Sequence, residues 1–203
     1  MKIGKATVAR TAICTSDEHT IVVRGKDLSK ELIGKISFVD HFFLLVTGRM
    51  PSAGETAVLN ATLVAIAEHG LVPSVQAARM TFAAAPEAMQ GAVAAGILGC
   101  GTVVLGSSET AGRMYAEIDV QVQSGLAMDA AALAVMKAWR AAGKSIPGYG
   151  HPLHKERDER VGALFDTARA AGTSMHFVAI AEACEKMLPE VLKKDLKSEY
   201  APH

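Results

Sequence analysis

Aromatic residues are scarce in this chain. Phe, Trp and Tyr make up 5% of 203 residues, although half of all side chains are apolar. Alanine supplies much of the apolar content, which favours closely packed helices. Cysteine is equally sparse. Cys14, Cys100 and Cys184 are odd in number and far apart, with no Cys-x-x-Cys or Cys/His metal spacing. That argues against a disulfide framework or a zinc site, and no metal is expected. Neither charge is in excess: 21 basic and 21 acidic side chains give a formal net charge of zero. The basic footprint of a nucleic-acid-binding protein is therefore missing. No apolar run reaches membrane-spanning length before Gly, Gln or Thr interrupts it. The N-terminus, MKIGKATVARTAICTS, starts basic but lacks the apolar segment of a secretory signal. There is no tandem repeat, low-complexity tract or linker. The apolar content is too high for intrinsic disorder, and the chain is long enough to bury a core unaided. These absences point to a soluble cytoplasmic protein, with one large domain or a domain plus a smaller lobe.

What is present reads as helix. Residues 1–36 look irregular, with a short β-branched run at Thr20–Val23 ended by the turn-like Arg24-Gly25-Lys26-Asp27. Ser37-Phe38-Val39-Asp40 has the form of a capping box before an apolar run, and Gly48 is a stop. Ser52-Ala53-Gly54-Glu55 repeats the capping logic for a helix closed by Gly70. Pro73-Ser74 opens another helix. The Gly-rich apolar segment from Met89 to Leu105 reads as a helix buried on most sides, with Gly91, Gly96, Gly99 and Gly101 admitting close helix contact. Residues 107–123, 129–142, 154–171 and 174–195 complete an all-α expectation of about eight or nine helices. A lobe boundary is expected near residue 110, giving a large lobe over 1–110 and a small one over 111–203.

The densest Gly/Pro stretch is Lys144 to Pro152. Two glycines flanking Tyr149 let the backbone approach a ligand. His151, His154, Lys155, Arg157 and Arg160 follow, a set that suits a phosphate or carboxylate at a helix start. Spacing alone favours the plainer reading, a turn followed by a solvated charged helix. His69 sits where an imidazole can complement a helix dipole. Arg24 reads as a turn residue and Cys100 as a small packed one, since no base lies near it in sequence. Gly106-Ser107-Ser108-Glu109 could cap a helix or line a ligand, but lacks the Gly-Lys-Ser/Thr ending of a P-loop.

Pro147-Gly148-Tyr149-Gly150-His151, with Lys155 and Asp158-Glu159-Arg160 after it, resembles a signature of the citrate synthase family. There, a Gly-aromatic-Gly-His element precedes Asp-Pro-Arg; here Glu159 stands in place of the Pro. Glu68-His69-Gly70-Leu71 through Ala77-Ala78-Arg79 resembles the family's Asp-His-Glu-Leu…Ala-Ala-Arg junction. Val23-Arg24-Gly25-Lys26-Asp27 and Leu45 to Pro51 resemble its Arg-Gly-Tyr-Asp turn and Leu-Leu-x-Gly-x-x-Pro helix end. The matches run in family order, and the departures are most similar to the citryl-CoA lyase branch.

The resemblance implies an all-α, two-lobed fold whose small lobe is incomplete at its C-terminus. It implies coenzyme A as a thioester substrate, a di- or tricarboxylate partner and no tightly bound cofactor. His151 would act on the substrate oxygen that is hydroxyl in citryl-CoA and carbonyl in oxaloacetate. Arg160 and His69 would grip the acid. Gly148, Tyr149 and Gly150 would lie along the CoA, with Lys155 near its phosphates. The family builds its site across a homodimer, and the apolar segment 89–105 is the candidate interface.

Two departures bear on activity. The family's Gly-x-x-His-Gly-Gly element is matched here by Val103-Val104-Leu105-Gly106-Ser107-Ser108, so Gly106 replaces the imidazole that steadies the enol oxygen. The segment carrying the family's catalytic Asp has no match before His203. A lost proton donor costs about 10²- to 10⁴-fold. The expectation is a citryl-CoA lyase, truncated and weakly active, with a synthase-type acyltransferase or a catalytically dead CoA- or citrate-binding protein as the alternatives.

Overall fold

The computed structural model describes residues 11–101, 105–149 and 158–192. The all-α expectation holds apart from one small sheet. Eight α-helices are seen among the described residues: α1 Phe38–Thr47, α2 Ala53–Ile66, α3 Pro73–Ala84, α4 Met89–Leu98, α5 Ser107–Gln123, α6 Met128–Ala141, α7 Glu159–Ala170 and α8 His176–Leu192. None is long and apolar enough to cross a membrane. The described chain groups into two compact units, one running up to Val64 and taking in Asp166–Thr173, the other holding Ala65–Phe165 and the residues from Ser174.

The first unit opens on structure where an irregular segment was expected. Strands β1 Cys14–Ser16, β2 Ile21–Val23 and β3 Lys26–Asp27 form an antiparallel sheet in the order β1-β2-β3. Arg24 and Gly25, at φ 47° and 79°, make the two-residue turn between Val23 and Lys26, which pair with each other. Two positive φ values give the turn whose twist matches that of the strands. Arg24 pays about 1 kcal/mol for this backbone, and its side chain gives something back. Its Nε and Nη2 both donate to the Leu45 carbonyl, at 3.0 and 2.6 Å. The turn is thereby tied to α1, over a core of Val23, Leu32 and Leu44.

Local capping signals work as expected. The Ser37 hydroxyl accepts from the Asp40 amide while Asp40 accepts from the Ser37 amide, closing the capping box of α1. Gly48 ends α1 at φ 81°. Ser52 and Glu55 make the same reciprocal pair ahead of α2, at 2.8 and 3.2 Å. Glu55 is also held by Arg49, and its carboxyl falls to about 2, chiefly through that guanidinium. Helix α2 stops at Ile66 rather than running to Gly70.

In the second unit, α3 and α4 pack through small residues. A Cβ on Gly96 would lie 3.3 Å from the Ala78 Cβ, and one on Gly99 would lie 3.0 Å from the Ser74 Cα. Close approach therefore depends on these two glycines; Gly91 and Gly101 meet no such crowding. Two expectations for this segment fail. The helix ends at Leu98, because Gly99 caps it, rather than continuing to Leu105. It is also uncovered: only Ala92 is buried, whereas Met89, Val93, Ile97 and Leu98 are 65%, 55%, 66% and 86% exposed. Cys100 is exposed rather than packed, and its thiol donates to the Gly96 carbonyl.

The main core of this unit lies among α5, α6 and α8. Met114 and Ile118 from α5, Ala131, Ala132, Val135, Met136 and Trp139 from α6, and Ile180, Ala183 and Cys184 from α8 are all buried. Their spacing of three and four residues is the helical stripe that makes such a face. Polar ties bracket it. Trp139 Nε1 donates to Glu117 at 2.7 Å, Lys137 pairs with Glu190 at 2.7 Å, and Lys186 pairs with Asp129. Asp119 meets His176 at 2.6 Å, and this contact holds its carboxyl below the usual range.

Candidate functional site

The loop after α6 is set by backbone hydrogen bonds. Gly143, at φ 73°, donates to Arg140, and Lys144 donates to Trp139 at 2.9 Å. This paired arrangement closes the helix and aims the chain away from its axis. The Lys144 ammonium then sits 4.7 Å over the Trp139 ring. Ile146 packs on the core, Pro147 is buried, and Gly148 takes φ 87°. A side chain on Gly148 would be strained at that φ and would approach the Tyr115 hydroxyl at 3.6 Å.

Tyr149 turns its ring towards the helical core. Its hydroxyl donates to the Ala181 carbonyl at 2.8 Å and lies 3.1 Å from the Tyr115 hydroxyl. A phenol has one proton, and a carbonyl can only accept. With the Tyr149 proton committed to Ala181, Tyr115 is the donor to Tyr149. The order is Tyr115 to Tyr149 to Ala181, a chain in which each bond polarises the next. Burial pushes both phenols, and the Cys184 thiol beside them, above their usual ranges, so all stay protonated near neutral pH. The Tyr149 hydroxyl is thus spent within the protein, leaving its backbone for any ligand.

Arg160 sits in the first turn of α7. Asp158 caps that helix, accepting from the Arg160 amide at 3.0 Å. The same carboxylate takes the guanidinium bidentately, with Nε at 3.0 Å and Nη2 at 2.6 Å. Asp158 raises the guanidinium's proton affinity further. The Asp158 side chain is 18% exposed and that of Arg160 41%. Asp158 therefore occupies the Nε–Nη2 edge of the fork, and the Nη1 side lies outside that pair.

His69 lies between α2 and α3 and is exposed. Its neighbour Gly70 adopts φ 64° and donates to Glu68 at 2.7 Å. Among the described residues no hydrogen bond or ion pair joins His69 to Arg160, Gly148 or Tyr149. Gly106 occupies the cap of α5 without a side-chain bond. The following Ser107, Ser108 and Glu109 amides are the unpaired first donors that every helix presents. Gly150, His151 and Lys155 lie outside the described residues, as does the chain after Leu192. Among the described residues no group of three His, Cys, Asp or Glu side chains could hold a metal ion.

Two pairings of α5 carry no sequence signal. Tyr115 stands 34 residues before its partner, and the Asp119–His176 pair spans 57 residues. Nothing at those spacings marks a contact.

A family model described as citrate synthase, C-terminal domain, matches residues 51–202. No curated protein sequence matches the chain. Among solved structures, citryl-CoA lyase from Hydrogenobacter thermophilus aligns with a TM-score of 0.78 and 29% identity, covering 93% of this chain and 71% of that one. ATP citrate lyase from Methanothrix soehngenii, solved with citrate and coenzyme A, gives 0.75 and 23%, covering 93% of this chain and 30% of that one. The D541A mutant of Methanosaeta concilii ATP citrate lyase, solved with (3S)-citryl-CoA, gives the same values, 0.75 and 23%, with coverage of 93% and 30%. At that identity the two ATP citrate lyases speak for the fold alone.

Proposed function

Since the chain belongs to the citrate synthase family, on a model covering residues 51–202, we propose that it binds a coenzyme A thioester together with a di- or tricarboxylate and cleaves citryl-CoA or a close 3-hydroxy-3-carboxyacyl-CoA. The observation that carries this reading is the likeness to citryl-CoA lyase over 93% of the chain. Asp158 now fills the fork of Arg160, and in this reading the substrate carboxylate takes its place there. His151 is the base that takes the hydroxyl proton. The hydroxyl oxygen then forms the new carbonyl of oxaloacetate, and the adjacent carbon–carbon bond breaks. Its electron pair passes to the acetyl-CoA fragment as an enolate, which finally gains a proton at carbon. Arg160 and His69 hold the carboxylates through the step. The Gly148–Gly150 backbone lies along the CoA, and Lys155 serves its phosphates. The free amides at the start of α5 are the available donors to the enolate oxygen.

Gly106, where the resemblance expects an imidazole, makes this step slow. It also argues against the synthase direction, in which the acetyl methyl must be deprotonated with that support. It favours, as a second reading, a protein that binds CoA and citrate without turnover. Calorimetry with CoA and with citrate, beside an assay for oxaloacetate release from citryl-CoA, separates these. The expected outcome is binding of both, with cleavage below the ordinary range of about 1–10³ per second. His151→Ala is expected to remove the residual cleavage and spare CoA binding; Arg160→Lys is expected to weaken citrate about ten-fold, since a point charge replaces a fork. Binding without any cleavage selects the second reading, and absence of both overturns the assignment.

The protein works as a cytoplasmic homodimer in this reading. The uncovered apolar side of α4, with Met80 of α3 at 75% exposure, supports it. Side chains of that size are expected to be covered by a second copy.

A further inference from the structure

The hydroxyl chain behind the glycine loop has a role in ligand binding that neither the loop motif nor the helix pattern contains. Tyr115 projects from the middle of α5, and its oxygen lies under the loop at two places. It is 3.1 Å from the Tyr149 hydroxyl and 3.6 Å from the point where a Gly148 side chain would begin. Tyr149 is fixed from its far side by the Ala181 carbonyl of α8 at 2.8 Å. Pro147 is buried ahead of it, and Gly148 is at φ 87°. Two helices therefore hold one phenol, and that phenol holds the backbone of residues 148 and 149. A backbone that lines a ligand contributes most when its amides and carbonyls are oriented before binding.

We propose that Tyr115 is a positioning residue for coenzyme A: through the Tyr149 hydroxyl it fixes the Gly148–Tyr149 backbone in the shape that meets the cofactor. The inference rests on the reading that this backbone lies along CoA. It adds a residue from another helix that touches no ligand. Tyr149 keeps its bond to Ala181 when the Tyr115 hydroxyl is removed, so the loop loses one of two anchors rather than its fold.

The test is calorimetry on the full chain and on Tyr115→Phe, with CoA and, separately, with citrate. The variant is expected to bind CoA about five-fold more weakly, which matches the loss of one net hydrogen bond of roughly 1 kcal/mol, and to bind citrate as before. The companion Tyr149→Phe removes the side-chain donor to the Ala181 carbonyl and is expected to weaken CoA further, again sparing citrate. The split between ligands is what a merely structural role would not produce. Equal weakening of both ligands, or unchanged CoA affinity in Tyr115→Phe, overturns the inference while the wild-type binding leaves the functional reading intact. A wild-type chain that binds no CoA overturns the reading and the inference together.

Discussion

The contact between α3 and α4 yields a graded test at two glycines, with a third in α5 as the reference. Gly99 ends α4 with ordinary helical backbone, and an added methyl would sit 3.0 Å from the Ser74 Cα and 3.2 Å from its Cβ. The first of those atoms is backbone and cannot swing aside, so a helix must move by several tenths of an ångström. Overpacking of this kind costs about 1–3 kcal/mol, and a terminal position recovers little helix propensity. Gly96 is inside the helix, 3.3 Å from the Ala78 Cβ. There the roughly 1 kcal/mol gained by replacing Gly with Ala is offset by a milder clash. Gly112 lies in the interior of α5, is exposed, and an added methyl meets nothing within 4 Å. Only the propensity gain of roughly 1 kcal/mol acts at that site. Thermal melts of the three Ala variants are expected to fall in the order Gly112→Ala above wild type, Gly96→Ala near it, and Gly99→Ala below it. The scale is roughly 2–4 °C per kcal/mol for a chain of this size. If Gly99→Ala melts at or above wild type, packing through these glycines is not what joins the two helices.

Three further outcomes follow from local geometry. Ser37→Ala opens the capping box of α1 and is expected to cost about 1 kcal/mol, read as a lower urea midpoint with unchanged slope. Asp119→Asn tests the pair with His176. The folded-state carboxyl of Asp119 is depressed, so its contribution is present above its unfolded value near ~3.9 and is lost as pH falls through the lower folded value. The variant should therefore melt below wild type at pH 7 and converge with it in strong acid; a gap that persists there contradicts the account of a carboxylate held by the His176 hydrogen bond. Leu98→Asp places a charge on the most exposed apolar residue of α4. Where light scattering at micromolar concentration gives the wild type a two-copy mass, as proposed, the variant is expected at one copy, and an unchanged two-copy mass would place the interface elsewhere.

Much of the fold was legible because its signals are short. The boxes at Ser37–Asp40 and Ser52–Glu55 close over three residues, and Pro73 stands at the start of α3. Helix ends were read less well where composition continued past them. Apolar residues run on beyond Leu98 although Gly99 stops α4, and no sequence signal distinguishes Ile66 from the residues that follow as the last of α2. The expected burial of α4 failed for a different reason. Periodicity shows that a helix is apolar all round but not which molecule covers it. At the candidate site, the two glycines around Tyr149 pointed to a backbone that approaches a ligand, and the sequence did not say where the ring would go. The phenol found its partners 34 residues upstream and 32 downstream. Asp158 and Arg160 are two apart, yet spacing alone did not show that the acid would occupy the fork.

The composition of the first unit sets a condition on how the chain is made. It draws on residues up to Val64 and then on Asp166–Thr173, more than a hundred positions later. At Gly54 an added methyl would come within 2.8 Å of the Ala171 carbonyl and 2.9 Å of Thr173. The start of α2 is thus closed by a stretch synthesised long after it. On the ribosome, that seat stays empty until Thr173 has left the exit tunnel, so the stretch up to Val64 cannot finish folding as an independent, early-emerging piece.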